Sequence, residues 1–211
     1  MPSIEWNKET WKDDLSKFKN GHFTGNFYGD HWGDPHDNEV LKRMVNTYIL
    51  PYISDKKVAL EIGPGGGRWT QFLKGFKKLY CVDINPYLND YLKERFSNPD
   101  NLQFIHSSGS SMPGVKDKSI DFCFSYDALV HADEDVIDGY LSEIFRVLKD
   151  NGRAHVHVAD RDKQNIRNEP SFSDMTLTTM TGLAEKRGFK VIGHDHQTLS
   201  DSVITCMIKD K

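Results

Sequence analysis

Residues 58 to 70 read V-A-L-E-I-G-P-G-G-G-R-W-T. The apolar run 58–62 has the composition of a buried strand, and it leads directly into Gly63, Gly65, Gly66 and Gly67. Beyond the glycines, Trp69, Phe72, Leu73 and Phe76 recur at helical spacing. A strand, a glycine turn and a helix in that order form the nucleotide-binding entrance of an open α/β sheet. Glycine suits the turn because a residue without Cβ takes positive φ and lets a ligand approach the backbone.

Outward from this stretch the chain alternates between strand and helix. Upstream, Trp11, Leu15 and Phe18 predict an amphipathic helix over 7–19, and Val40, Leu41, Met44, Val45, Tyr48 and Ile49 predict another over 37–50, stopped by Pro51. Between them lies G-H-F-T-G-N-F-Y-G-D-H-W-G-D-P, where aromatic residues interleave with glycine. A loop this apolar is expected to pack on the domain, either as a structural wrap or as a lid with glycine hinges. Downstream, strands are expected at 78–84, 102–105, 120–125, 153–159, 189–193 and 203–209. Asn85-Pro86 should start one helix, and Asp133 should cap another that Asn151-Gly152 would close. A last helix is expected over 175–187. The resulting fold class is α/β: a seven-stranded, mostly parallel sheet with helices on both faces and a C-terminal antiparallel pair at its edge. Residues 1–53 would form an N-terminal helical and aromatic segment, and 54–211 the cofactor-binding domain.

Composition narrows the function classes. Charged residues make up 27% of the 211 and the formal net charge is -4. That balance argues against a nucleic-acid surface, which needs clustered Lys and Arg. No apolar stretch approaches the roughly 18 residues that span a bilayer. The N-terminal M-P-S-I-E-W-N-K lacks a signal-peptide core. Cys81, Cys123 and Cys206 each sit in an apolar run, read as reduced, buried thiols of a cytoplasmic protein.

Two ligands compete for the glycine turn. A dinucleotide loop wants G-x-G-x-x-G, but the third position, counted from Gly63, is Arg68. The actual spacing is E-x-G-x-G-x-G, and about 57 residues precede it, whereas dinucleotide domains commonly open near the start of their chain. E-I-G-P-G-G-G resembles the first motif of class I S-adenosylmethionine-dependent methyltransferases. S-I-D-F-C-F-S-Y-D-A-L-V-H-A-D and F-R-V-L-K-D-N-G-R-A-H-V are similar to that family's fourth-strand motif and its entry to the fifth strand. Asp83, 20 residues after Gly63, falls where a carboxylate accepts hydrogen bonds from a ribose diol.

The resemblance implies a Rossmann-like fold, S-adenosylmethionine as cofactor, and cofactor contacts from Glu61, Gly63, Gly65, Gly67, Asp83, Ile84, Ser108, Gly109 and Ser125. Relatives often carry Asp where this chain has Ser108, so a serine hydroxyl or the Gly109 backbone would have to serve the adenine.

Catalytic groups in an open parallel sheet sit beyond the carboxyl ends of the strands. Tyr126, Asp127 and His131 after the fourth strand are the candidates. A hydroxyl acceptor needs its proton removed, and His131 or Asp127 would remove or orient it. Structural readings stand beside these: a turn carboxylate for Asp127, and support of the next helix for His131. His155 and His157 alternate on one strand and, with Asp160, His194 and His196, outline a possible metal cluster. Paired strand histidines are more often packed than ligating, so no metal is expected. The expected activity is methyl transfer to a small-molecule or glycan acceptor, on a sugar hydroxyl. Amine methylation, a nicotinamide-dependent oxidoreductase and a non-catalytic cofactor module are the alternatives.

Overall fold

The computed structural model describes residues 3–166 and 169–210. Among these, seven strands form one sheet in the order β3-β2-β1-β4-β5-β7-β6. Strands β1 (Val58–Ile62), β2 (Lys78–Asp83), β3 (Leu102–His106), β4 (Ile120–Ser125) and β5 (Leu148–Ala159) run parallel. Strand β7 (Ser202–Lys209) is antiparallel to both of its neighbours, β5 and β6 (Phe189–Asp195). The C-terminal pair is therefore antiparallel as expected. It does not simply extend the edge: β7 inserts against β5 and leaves β6 outermost.

Alternate side chains of the strands feed two cores. On one face, Leu60, Ile62, Val82 and Val156 meet Ile137, Leu141 and Ile144 of α5 (Glu134–Val147) and Met180 and Leu183 of α6 (Leu177–Lys186). On the other, Ala59, Cys81, Phe122 and Phe124 meet Leu41, Met44, Val45 and Ile49 of and just after α2 (Glu39–Tyr48), and Trp69 and Leu73 beside and within α3 (Thr70–Leu73). Burial on both faces is why the strands read as near-continuous apolar runs. Outside this sandwich, α1 (Ile4–Lys19) lies on α4 (Pro86–Arg95) through Leu15, Tyr28 and Leu88.

Three local expectations are revised. The helix after the glycine turn is short, because beyond Leu73 the chain tightens into i+3 turns such as Phe76 N to Leu73 O. Asn151-Gly152 does not end α5. The helix stops when Leu148 turns extended and pairs with Ile120, and Asn151, at φ 64°, sits in the irregular start of β5. Asn-Gly chemistry fits both a helix end and a strand irregularity, so the sequence alone did not distinguish them. Asp133 occupies the N-cap position of α5 without a capping hydrogen bond, whereas Asn85 caps α4 through Tyr87 N.

Candidate active site

The registers Ile62↔Val82 and Ile62↔Ser125 bring the carboxyl ends of β1, β2 and β4 level. A cavity of about 460 Å³ opens there, lined by the glycine loop, Asp83, Ile84 and the turn after β4. Its roof is the N-terminal segment, including Asn7, Trp11, Tyr28 and Trp32, and one wall is the connection after β5, including Ser171 and Phe172.

The glycine loop is shaped by close approach. A Cβ on Gly63 would fall 2.2 Å from that of Ala128, so β1 and β4 can turn past one another only with glycine here. Gly65, at φ 55°, would meet nothing within 4 Å and leaves open space beside the backbone. Behind the loop, Glu61 is buried and its Oε2 accepts from Thr70 Oγ1 at 2.6 Å, while Oε1 has no partner. Burial pushes its carboxyl up to about 8, and the nearby Asp83 charge adds to this against Thr70 and Arg95. Asp83 is also buried, with Oδ1 accepting from Asn85 N at 2.8 Å. Burial raises it to about 7, opposed by the backbone N–H groups of Asn85, Gly65 and Ile84.

The remaining residues expected at the cofactor separate. Gly109 lines the cavity. Ser108 is exposed, its hydroxyl 3.3 Å from that of Ser111, because the turn buries Ser107 instead. Ser107 Oγ donates to Gly109 O at 2.6 Å and so holds the turn. Ser125 is buried and donates to Ile62 O at 3.2 Å, tying β4 to β1. Gly67 packs against Leu92 and Phe96 rather than the cavity.

On the acceptor side, Tyr126 stacks on His157 at 4.2 Å and packs against Trp69 at 4.5 Å. Asp127 takes a left-handed backbone, φ 58°, an uncommon state for a residue with a Cβ. Its N–H donates to His157 Nδ1 at 3.1 Å and its carboxylate pairs with Arg68. Burial opposes the Asp127 charge, but His157 and Arg68 outweigh it and hold the carboxyl below its ordinary range.

His131 lies in the 3₁₀ turn Leu129–His131, buried beneath Trp11, with ring centroids 5.0 Å apart. Its Nδ1 is 2.6 Å from Ser171 O. A carbonyl only accepts, so Nδ1 carries the proton and the Nε2 lone pair is left free. Burial lowers the His131 pKa, against the opposing pull of the Ser171 carbonyl and Asp127.

The histidines considered for metal are engaged singly. His155 Nδ1 meets Tyr48 O at 3.0 Å, and His194 Nδ1 lies 3.3 Å from Thr205 Oγ1. Asp160 accepts from Leu177 N at 3.2 Å. Among the described residues no group of three or more His, Cys, Asp or Glu is placed to hold a metal ion. Nor is any helix among them long and apolar enough to cross a membrane.

Sequence reading gave no role to Asn7 or Arg68, both of which prove central. Asn7 Nδ2 donates to His131 O at 2.9 Å and its Oδ1 accepts from Trp11 Nε1 at 3.0 Å, fixing α1 to the turn. Arg68 counted only as a missing glycine. Its signal was a lone charge in an otherwise apolar glycine turn.

A parallel sheet with an inverted seventh strand and a glycine turn after β1 is the Rossmann-like methyltransferase architecture. Residues 60–156, from β1 through most of β5, match the family model described as a methyltransferase domain. An uncharacterized methyltransferase-like protein of Schizosaccharomyces pombe is 31% identical over 118 residues, covering 52% of this chain and 41% of that protein. The ribosomal RNA small subunit methyltransferase A of Fusobacterium nucleatum is 33% identical over 79 residues, 37% of this chain and 28% of its own length. The chain spans less than half the length of these curated relatives. Among solved structures, the N-methyltransferase NodS from Bradyrhizobium japonicum, in complex with S-adenosyl-L-homocysteine, superposes with a TM-score of 0.72 at 11% identity. That match covers 97% of this chain and 98% of that one, and at such identity it speaks for the fold.

The likeness over residues 60–156 is to a methyltransferase domain, and the cofactor such a domain would use is S-adenosylmethionine. The site fits that group: Gly65 leaves room at the backbone, Asp83 closes β2 beside it, and Glu61 keeps an unpartnered oxygen behind the loop.

Proposed function

We propose that this chain transfers a methyl group to a hydroxyl oxygen of a small or carbohydrate acceptor. The observation that carries the reading is the placement of His131: its Nδ1 lies 2.6 Å from Ser171 O, which leaves Nε2 as the ring's basic nitrogen, in the lining of the cavity that also holds the glycine loop. S-adenosylmethionine supplies an electrophilic methyl carbon on a sulfonium.

The chain's own residues do the rest. The backbone at Gly63 and Gly65 cradles the amino-acid end of the cofactor, Asp83 accepts from its ribose hydroxyls, and Ile84 and Gly109 flank its base. Glu61 and Ser125 support this floor from behind. A hydroxyl becomes a competent nucleophile as its proton leaves, and the Nε2 lone pair of His131 accepts that proton. The Asp127 carboxylate favours the imidazolium that results. Tyr126 walls the acceptor space, and Trp11 and Trp32 offer ring faces on which a sugar can stack. Within the N-terminal segment, the part from Ile4 to Trp32 acts as the cover that excludes water.

The test is a screen for transfer from labelled S-adenosylmethionine to nucleotide sugars, short glycans, amines and a small ribosomal RNA fragment. Transfer to hydroxyl acceptors, lowered about 10²- to 10⁴-fold by His131→Gln with S-adenosylhomocysteine affinity unchanged, is expected. An amine acceptor whose methylation survives His131→Gln would replace this reading with N-methylation. Transfer to RNA alone would place this chain's acceptor with the one in the Fusobacterium relative's name.

A further inference from the structure

Arg68 is a cation in the turn between β1 and α3, and its side chain is only 7% exposed. A buried guanidinium is tolerated when its N–H groups are engaged. Here the engagement is divided between two parts of the chain that are remote in sequence. Nη1 donates to Trp32 O at 3.1 Å and Gly33 O at 3.3 Å, in the N-terminal segment. Nη2 donates to the carboxylate of Asp127, in the turn after β4. The guanidinium also sits 5.1 Å from the ring of Trp69, which packs on Tyr126 and limits its freedom to swing.

Both ends of this link are special backbone. Trp32 closes a 3₁₀ turn, Asp30–Trp32, and Gly33 follows at φ 107°, so the two carbonyls are aimed at one point. Asp127 is held at φ 58°, a conformation that persists only where its surroundings determine it. Two contacts determine it here: His157 from the sheet and Arg68 from the segment side.

We infer that Arg68 is a positioning residue: its link to Trp32, Gly33 and Asp127 makes closure of the N-terminal segment and orientation of the Asp127 carboxylate a single event. The cover and the acceptor side are thereby assembled together. Linkage is reciprocal, so breaking the contact at Asp127 must also loosen the segment. The consequence for turnover rests on the proposed role of Asp127; the mechanical link does not.

The experiment uses the full chain with Arg68→Met, Arg68→Lys, Asp127→Asn and the Arg68→Met/Asp127→Asn double variant. Limited proteolysis within residues 20–36 reads the segment, and thermal melting reads the domain. Arg68→Met and Asp127→Asn should each raise cleavage about tenfold, the loss of a charged hydrogen bond. The double variant should add little to the larger single effect, because both cut one link. Arg68→Lys should fall between, since one ammonium cannot span two carbonyls and a carboxylate as a planar fork can. On any acceptor that is turned over, Arg68→Lys should lower kcat without changing KM for S-adenosylmethionine.

If Arg68→Met exposes the segment while Asp127→Asn leaves it protected, Arg68 merely packs the cover and the inference falls. If Arg68→Met fails to fold, the isosteric Asp127→Asn decides alone: unchanged cleavage overturns the link and faster cleavage upholds it. Failure of the unmodified chain to bind S-adenosylhomocysteine would sink the proposed function instead, and the cleavage comparison would still judge the link.

Discussion

Gly66 provides the sharpest perturbation of this site. Its φ lies outside the left-handed region, so alanine fits the backbone there without strain. A Cβ at Gly66 would nevertheless stand 1.8 Å from the carbonyl oxygen of Tyr28 and 2.6 Å from its carbon. An ordinary carbon–oxygen contact is about 3.3 Å, so the segment would have to retreat by roughly 1.5 Å. That retreat breaks the bond from Tyr28 N to Tyr91 OH, now 2.9 Å, and strains those from Arg68 to Trp32 and Gly33. At about 1 kcal/mol for a neutral hydrogen bond and somewhat more for a charged one, closure loses about 2–4 kcal/mol. Hydrogen exchange over residues 4–33 should then accelerate roughly 30-fold to several hundred-fold, with the sheet amides unchanged. Gly65→Ala is the control. It meets no neighbour within 4 Å but takes φ 55°, so it costs about 1 kcal/mol of backbone strain and places a methyl beside the cofactor space. It should weaken S-adenosylhomocysteine binding and spare the segment. Wild-type exchange in Gly66→Ala, or equal loosening by both variants, would refute the reasoning.

Two further predictions concern the buried carboxylates. Asp83→Asn should weaken S-adenosylhomocysteine binding at least about tenfold at pH 8 in calorimetry. Because burial holds Asp83 near 7 and a ribose diol favours its ionised form, wild-type affinity should decline as pH falls through 7; a pH-independent wild-type affinity would remove Asp83 from the ribose. Glu61 is raised from 4.5 to about 8, so the folded state binds more protons than the unfolded one between those values, and stability falls as pH rises through them. Glu61→Gln keeps the Thr70 hydrogen bond and should gain on the order of a few kcal/mol at pH 9 but little near pH 4.5 in urea unfolding; an equal change at both would contradict the burial argument.

The strands and the glycine turn were legible because their physics is local. Apolar runs bounded by Asn, Gly and Pro mark buried strands, and a carboxylate at the end of β2 follows from spacing alone. What escaped depends on contacts between distant segments. In S-S-G-S-S, nothing in composition tells which serine turns inward; Ser107 does, because its hydroxyl both donates to and accepts from Gly109. The insertion of β7 beside β5 is invisible to a reading that sees two neighbouring strands and a loop. Arg68 looked like a defect in one motif, and its partners lie 35 residues before it and 59 after.

The same contacts bear on the division of the chain at residue 53. Leu41, Met44, Val45 and Ile49 lie in the core on one face of the sheet, and Tyr48 O accepts from His155 in β5. Nearer the N-terminus, Tyr28 rests on Gly66, Asn7 holds His131 O, and Asn85 Nδ2 donates to Lys8 O at 3.2 Å. The glycine loop therefore meets different surroundings at neighbouring positions: Gly65 faces open cavity, while Gly66 lies against the Tyr28 backbone. The division at residue 53 is thus not one of packing, and the glycines at 65 and 66 meet different neighbours.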